Sequence, residues 1–456
     1  MHIHAAPHRT DQSMTEGSIF GHLLRFSLPL LLGNFCQQLY NTVDSIVVGN
    51  FVGKEALAAV GTVNPIINTL IGLFLGLSTG VSVVIAQAYG ARDAAGVRRA
   101  VQTSVLLIFV LSAISTAAGV ATVGPMLRLM QAPEDVFGLA ETYLGIYFAG
   151  VSGLMVYDLG SGILRAVGDS RRPLYFLLFS AGVNTALDLL FVAVFDWGVA
   201  GAAIATVAAQ ALSAVLVLVV LTRTEGSYRI VWRGMRMDGT ILRAIFRVGI
   251  PSALQLAITS FSNVFVQSYV DRFDSSCMAG WATYAKLDSF ATLPMLTLSV
   301  SATTFVGQNV GAGDWERARQ GTRCAHWMGL VSTAAIVAPL MIWAGPLCAL
   351  FGRDTEMLRY GVWFVRVISP FYVLGTYNQV CAGALRGAGD GRGPMLVMLF
   401  SFVAFRQVYL YVTWQRFGTL LPVTLGYPVG WLVCTVLLTV YYHCGHWSDR
   451  AKAEKT

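Results

Sequence analysis

Long apolar runs separated by short polar segments fill this chain. Twelve runs reach the roughly 20 residues that a helix needs to cross a bilayer. Six lie near 23–47, 57–87, 98–122, 136–162, 174–195 and 199–221, and six near 244–269, 278–307, 325–345, 359–384, 395–415 and 420–443. None shows the short alternating segments of a membrane β-barrel. The pattern predicts an all-α polytopic membrane protein with 12 transmembrane helices. Several runs exceed the minimum length, which calls for tilt or for helix reaching past the bilayer.

The polar segments repeat. LRAVGDSRRP (164–173) returns as LRGAGDGRGP (385–394), 221 residues later, with six of ten positions identical. AQAYGARDAAGVRRA (86–100) is answered by GQNVGAGDWERARQG (307–321) at the same offset. FSLPLLLGNFCQQLYNTVD (26–44) is answered by VGIPSALQLAITSFSNVFV (248–266) at an offset of 222, which aligns Pro29 with Pro251 and Asn41 with Asn263. So regular a repeat implies duplication. An even number of spans per repeat keeps both copies in one orientation, so two six-helix lobes related by a pseudo-twofold axis along the membrane normal are expected. The expected division is a tail at 1–19, a first lobe at 20–221, a linker at 222–243, a second lobe at 244–443 and a tail at 444–456. Parallel repeats of this kind are typical of secondary transporters, which bind substrate between the halves.

Composition agrees with a membrane protein. Of 456 residues, 55% are hydrophobic and only 12% charged, against about 25% charged in soluble domains, and mean hydropathy is +0.63. The segments joining spans 2–3, 4–5, 6–7, 8–9 and 10–11, with both tails, hold 22 of the 31 Lys and Arg. The opposite side holds six: Lys54, Arg128, Arg272, Arg353, Arg359 and Arg416. An excess of basic residues marks the cytoplasmic side, so both termini are expected in the cytoplasm. The net charge of +7 then needs no nucleic-acid partner, and the basic segment 222–247 reads as a linker lying on an anionic leaflet.

Several other features carry little chemistry. The seven cysteines stand singly, with no metal spacing, and read as packing residues. His2, His4 and His8 belong to a polar opening stretch that reads as a tail rather than a metal site, and Met14 is itself a plausible start. No cleavable signal peptide stands out. No metal triad, nucleophile elbow or phosphate loop suggests an enzyme, and no cofactor is expected.

The stretch TEGSIFGHLLRFSLPLLLGNFCQQLYNTVDSIVVGNFVGKEALAAVG resembles the opening of the multidrug and toxic compound extrusion (MATE) transporters. The resemblance continues through AQAYGARD, SGILRAVGDSRRP, WGVAGAAIATVAAQ, GQNVGAGD and GALRGAGDGRGP, from Thr15 to about Tyr442. It implies 12 helices in two lobes and export of organic, often cationic, compounds driven by inward flow of Na⁺ or H⁺. A bacterial cytoplasmic (inner) membrane location and function as a monomer are the corresponding expectations.

Polar residues inside the spans say where coupling is expected. Gln37, Asn41 and Asp44 share one face of span 1, Asn184 and Asp188 one face of span 5, and Thr206, Gln210 and Ser213 one face of span 6. A charge at mid-membrane costs at least about 2.5–3.5 kcal/mol, so such residues usually face a polar interior and serve a function. Two carboxylates with amide and hydroxyl neighbours either share protons or give Na⁺ several oxygen ligands. The resemblance puts Asp44, Asn184, Asp188 and Thr206 on the cation- or proton-binding positions of the DinF-like branch, with Asn41 beside them. Asp158 stands where relatives more often carry Asn, and either adds an acid to the cluster or faces water between the lobes. In the second half the NorM-like branch carries a glutamate where this chain has Thr259, which weakens a NorM-type site there. Phe405 and Tyr409 stand where span 5 has Asn184 and Asp188, with Arg406 adjacent.

Gln37, Gln210, Gln255, Asn263 and Lys286 are the candidates for a substrate cavity; Lys286 and Asp288 read as paired with each other or with another polar group, either as a structural ion pair or in gating or substrate repulsion. In the repeated loops Arg165, Asp169, Arg386 and Asp390 read as loop architecture and orientation signal, or as gating pairs. A flippase for a lipid-linked cell-wall or polysaccharide precursor shares this architecture and is the competing function. It would want a basic cavity, whereas the bases within spans are only Lys286, Arg366 and Arg406 and the acids gather in the first half, which favours the exporter.

Overall fold

The computed structural model describes residues 13–51, 54–352 and 354–444, and only the backbone of residues 40–51, 54–58 and 135. His2, His4, His8 and both termini lie outside the described residues, as do the side chains of Asn41 and Asp44. Eighteen α-helices and no strand occur among the described residues.

The first half runs through α1 (Ile19–Phe51), α2 (Lys54–Gly90), α3 (Ala94–Leu129), α4 (Glu134–Ala149), α5 (Val151–Ala166), α6 (Arg171–Asp188) and α7 (Gly198–Arg223). The expected span 136–162 is α4 and α5 together, bent by 47° at Gly150. A π-helical turn, Leu189–Val194, prolongs α6. The second half comprises α8 (Gly239–Val270), α9 (Ser275–Ala291), α10 (Leu293–Gly311), α11 (Trp315–Ile342), α12 (Ala344–Ala349), α13 (Thr355–Ile368), α14 (Tyr372–Gly387), α15 (Arg392–Leu399), α16 (Arg406–Phe417), α17 (Leu420–Thr424) and α18 (Gly426–Cys444). Another π-helical turn, Phe400–Phe405, joins α15 to α16.

Ten helical stretches among the described residues are long and apolar enough to cross a membrane, and the bent α4–α5 pair makes eleven. The remaining expected span, 359–384, is α13 and α14 separated by a 3₁₀ turn at Ser369–Phe371. Pro370 explains the break, because its ring removes an N–H donor and clashes with the preceding turn.

The chain forms two compact units, one of Leu28–Gly249 and the other of Met14–Ser27 with Ile250–Thr456. Both α1 and α8 therefore change unit just before a proline, Pro29 and Pro251, where a helix has lost one backbone hydrogen bond. In the second unit, Met14, Leu23 and Phe26 are buried. There Gln308 Oε1 accepts the Met14 N–H at 2.8 Å, and Arg317 Nη2 donates to the Gly17 carbonyl at 2.9 Å. In the first unit, Tyr228, Ile230 and Ile245 join the main apolar core. Here α2 and the start of α8 touch at Gly80, where a Cβ would fall 2.4 Å from the Ile245 carbonyl oxygen.

The repeat is visible as repeated local structure. Gly168 (φ +93°) and Gly389 (φ +94°) both take the left-handed conformation that ends a helix. In each loop the following Asp N–H returns to a helix carbonyl, Asp169 to Leu164 at 2.9 Å and Asp390 to Leu385 at 3.0 Å. Each Asp then caps the next helix: Asp169 Oδ1 accepts from Arg171 and Arg172 N–H, both at 3.1 Å, and Asp390 Oδ1 from Gly393 N–H at 2.9 Å. Deeper in, Ser78 Oγ donates to the Asp158 carbonyl at 2.8 Å, and its repeat partner Ser299 donates to the Gln379 carbonyl at 2.7 Å. Loss of a helix cap costs about 1 kcal/mol, so Asp169→Ala should lower thermal stability in detergent by about that amount. Asp169→Asn, which keeps an acceptor oxygen, should lose less.

Candidate functional site

The polar residues of α6 and α7 meet in the first unit. Ser180 Oγ and Ser213 Oγ lie 2.5 Å apart and fix the register of the two helices. The loop between them is short, so the helices run antiparallel. At 1.5 Å per residue, Asn184 on α6 then comes level with Gln210 on α7, and Asp188 with Thr206. Asn184 and Asp188 are fully buried, at 0% and 1% exposure.

What distinguishes this place is unmet hydrogen bonding. Both amide atoms of Asn184 and Gln210 Oε1 are buried without a hydrogen-bond partner. Thr206 spends its proton on the Ala202 carbonyl at 3.0 Å, leaving its oxygen lone pairs to accept or to ligate. Buried polar atoms are nearly always paired, so a cluster of exceptions calls for an explanation. Immediately after Asp188 the helix slackens into its π-helical turn, a distortion often found at functional sites.

Asp158 on α5 is half-buried, and its Oδ2 has no partner. Its neighbour Tyr157 donates to the Pro173 carbonyl at 3.1 Å. Gln37 is exposed on α1. Asn41 and Asp44 lie on the same helix, with side chains outside the described residues.

The second unit is built differently. On α8, Gln255 Oε1 and Thr259 Oγ1 are buried without partners. Ser262 Oγ donates to the Phe402 carbonyl at 2.7 Å, and exposed Asn263 accepts from Arg406 Nη2 at 2.8 Å.

Lys286 and Asp288 do not pair with each other; Asp288 takes the other expected arrangement, a different polar partner. Two positions apart on α9, the two side chains leave on opposite faces. Lys286 is exposed, its ammonium 5.1 Å from the Phe351 ring centroid. Asp288 instead accepts hydrogen bonds on Oδ1 from Tyr284 at 3.1 Å and from Tyr372, and the two tyrosine oxygens are 3.1 Å apart. The Tyr284–Asp288 spacing of four residues is readable in sequence; Tyr372, from α14, is not.

The loop residues divide. Asp169 pairs with Arg172 inside its own loop at 3.3 Å, while Asp390 Oδ2 accepts from the Tyr441 hydroxyl at 2.5 Å. Arg386 is buried rather than a surface charge, and its Nη2 donates to Ser299 Oγ at 2.9 Å. Arg165, its repeat partner, is half-buried near the end of α5.

Known proteins resemble this chain in sequence and fold. The MatE family model matches the chain twice, at residues 29–190 and 251–412, once in each half. A Bacillus subtilis (strain 168) protein, "Probable multidrug resistance protein YpnP", is 30% identical over 437 residues, covering 95% of this chain and 97% of the relative. A Shewanella oneidensis protein named "FAD transporter" is 28% identical over 360 residues, covering 77% of this chain and 78% of the relative. A solved structure described as the outward-facing conformation of a multidrug resistance MATE family transporter of the MOP superfamily superposes with a TM-score of 0.91. It is 25% identical and covers 99% of this chain and 100% of that one.

Proposed function

The chain belongs to the MatE family of transporters, and from that premise we propose that it exports small amphiphilic organic compounds in exchange for inward-moving Na⁺ or H⁺, by alternating access of two lobes. One relative is named "Probable multidrug resistance protein YpnP" and another "FAD transporter", so the class assigned is aromatic or amphiphilic organic compounds rather than one charge type. The observation that carries the reading is the buried cluster of α6 and α7, where Asn184 and Gln210 leave amide atoms unmatched beside buried Asp188. A proton or a Na⁺ ion arriving there would supply the missing partner, with Asp44, Asn184, Asp188 and Thr206 as the binding set. Asp158 stands by as a further acid. Within the family, acids gathered in the first half and Thr259 in the second favour the DinF-like branch.

Competition between compound and ion for one site couples their movements by displacement. In proteoliposomes, an outward gradient of one ion, imposed alone, should drive uptake of ethidium into vesicles whose protein is oriented for it. Accumulation that ignores both a Na⁺ and a pH gradient would overturn the reading and return attention to the lipid-precursor flippase. The protein is placed in the cytoplasmic membrane of a bacterium as a monomer with both ends inside. A reporter active only in the periplasm, fused after Thr456, should stay silent; periplasmic activity would overturn that orientation.

A further inference from the structure

Arg406 opens α16 directly after the π-helical turn Phe400–Phe405, and its side chain is only 3% exposed. Its Nη2 donates to Ser262 Oγ and to Asn263 Oδ1, both at 2.8 Å. The guanidinium carbon stands 4.9 Å from the centroid of the Tyr427 ring, and Nε has no hydrogen-bond partner. No carboxylate among the described residues pairs with it. Asp288, a half-buried acid of this unit, is engaged by Tyr284 and Tyr372. A guanidinium stays ionised in proteins, and a buried cation without a counter-charge is costly. Two neutral acceptors and one ring face offset only part of that cost.

A second observation points the same way. Four and eight residues before Asn263, on one face of α8, Thr259 Oγ1 and the buried Gln255 Oε1 have no partner. A hydroxyl donates as readily as it accepts, and an amide turned over presents its NH₂. This strip therefore offers a fixed positive charge, a free Nε–H, a hydroxyl and an amide. At an offset of 221 residues, the Asn184 and Asp188 of the first unit are replaced here by Phe405 and Tyr409, with Arg406 next to them. The second unit thus has no acid at the counterpart of Asp188 and carries a base where the first unit has Thr185.

We propose that Arg406, with Thr259 and Gln255, forms an anion-recognition site in the second unit that takes a carboxylate or phosphate group carried by the exported compound. The proposal rests on the exporter reading above. Arg406 also braces the π-helical turn through Ser262, which donates to the Phe402 carbonyl, but bracing needs hydrogen bonds and not a net charge. Selectivity by sign of charge separates the two roles.

The test uses the full chain in proteoliposomes and three probes: carboxyfluorescein for carboxylate, flavin mononucleotide for phosphate, and ethidium as the cation. Wild type should bind and transport at least one of the two anionic probes, and which one identifies the group. Arg406→Gln should weaken that probe by about tenfold or more, as expected for loss of a charge-assisted bond, while ethidium is unchanged or improved. Arg406→Lys, which keeps the charge, should stay within a few-fold of wild type. Inorganic phosphate should compete with the anionic probe and not with ethidium on the wild-type protein, a readout that does not depend on any variant folding. Equal loss of all three probes in Arg406→Gln, with phosphate failing to compete, would reduce Arg406 to a structural brace. Ethidium transport without either anion would overturn the site and leave the exporter standing. Transport of none of the three under either ion gradient would remove both.

Discussion

Asp188→Asn should abolish concentrative export while downhill movement of the same compound continues within a few-fold of wild type. Asp188 is buried on α6, one turn from Asn184, whose amide is unmatched. The amide that replaces the carboxylate has nearly the same shape, and it removes a charge whose insertion at mid-membrane costs about 2.5–3.5 kcal/mol. Folding and insertion should therefore survive. On the proposed reading, what is lost is the group that holds the ion in one state and releases it in the other. One charge crossing 100 mV yields about 2.3 kcal/mol, enough for a gradient on the order of 40-fold at about 1.4 kcal/mol per factor of ten. Without coupling the accumulation ratio should fall to about one. Asp44→Asn should behave alike, whereas Thr259→Ala and Asn263→Ala should change affinity or rate without uncoupling. Accumulation is read with a fluorescent compound under an imposed gradient. Normal accumulation by both aspartate variants would move the ion site to Asp158.

Gly383→Ala should cost about 2–3 kcal/mol of stability, as overpacking of a tight contact does. On α14, a Cβ at Gly383 would lie 2.3 Å from the Ser299 carbonyl oxygen and 2.9 Å from its Oγ on α10. A backbone oxygen cannot turn aside, so the two helices must separate. That movement also strains the Ser299 bonds to Gln379 and Arg386. The repeat partner Gly162 faces the Ser78 Oγ at 2.5 Å. A hydroxyl can rotate away, so Gly162→Ala should lose less. Gly182→Ala is the control: nothing lies within 4 Å of its Cβ, and removing a helical glycine favours the fold by roughly 0.5–1 kcal/mol. Thermal unfolding in detergent would show whether the three fall in that order.

The helical content and the duplication were legible because both rest on local pattern. Apolar runs of span length can only be satisfied as helices in lipid, and Gly168 with Gly389 needs no more than a glycine at a fixed offset. The breaks were less legible. Gly150 bends one span and Pro370 interrupts another, yet hydropathy averages across both. Contacts made by residues far apart in sequence were not legible at all. Asp288 reads as the neighbour of Lys286 until Tyr372, 84 residues later, claims it. Arg386 reads as a loop charge until Ser299 draws it inward. The exchange of the first helical segments between units likewise depends on where Met14 and Ile245 find their packing, which no local signal announces. Helical spacing alone puts Asn184 with Asp188, and Thr206 with Gln210, on one face of their helices, and the Ser180–Ser213 contact then brings the two stripes level.

If one protein molecule exchanges an organic compound for an ion at the α6–α7 cluster, the two flows are locked together. The direct measurement imposes only a compound gradient on sealed proteoliposomes, with Na⁺ and pH equal on both sides, and follows internal pH and radioactive Na⁺ together. Movement of one of the two ions against the compound flow, present in wild type and absent in Asp188→Asn, is the predicted result. Compound flux of normal size with neither ion moving, or with ion movement undiminished in Asp188→Asn, would contradict it.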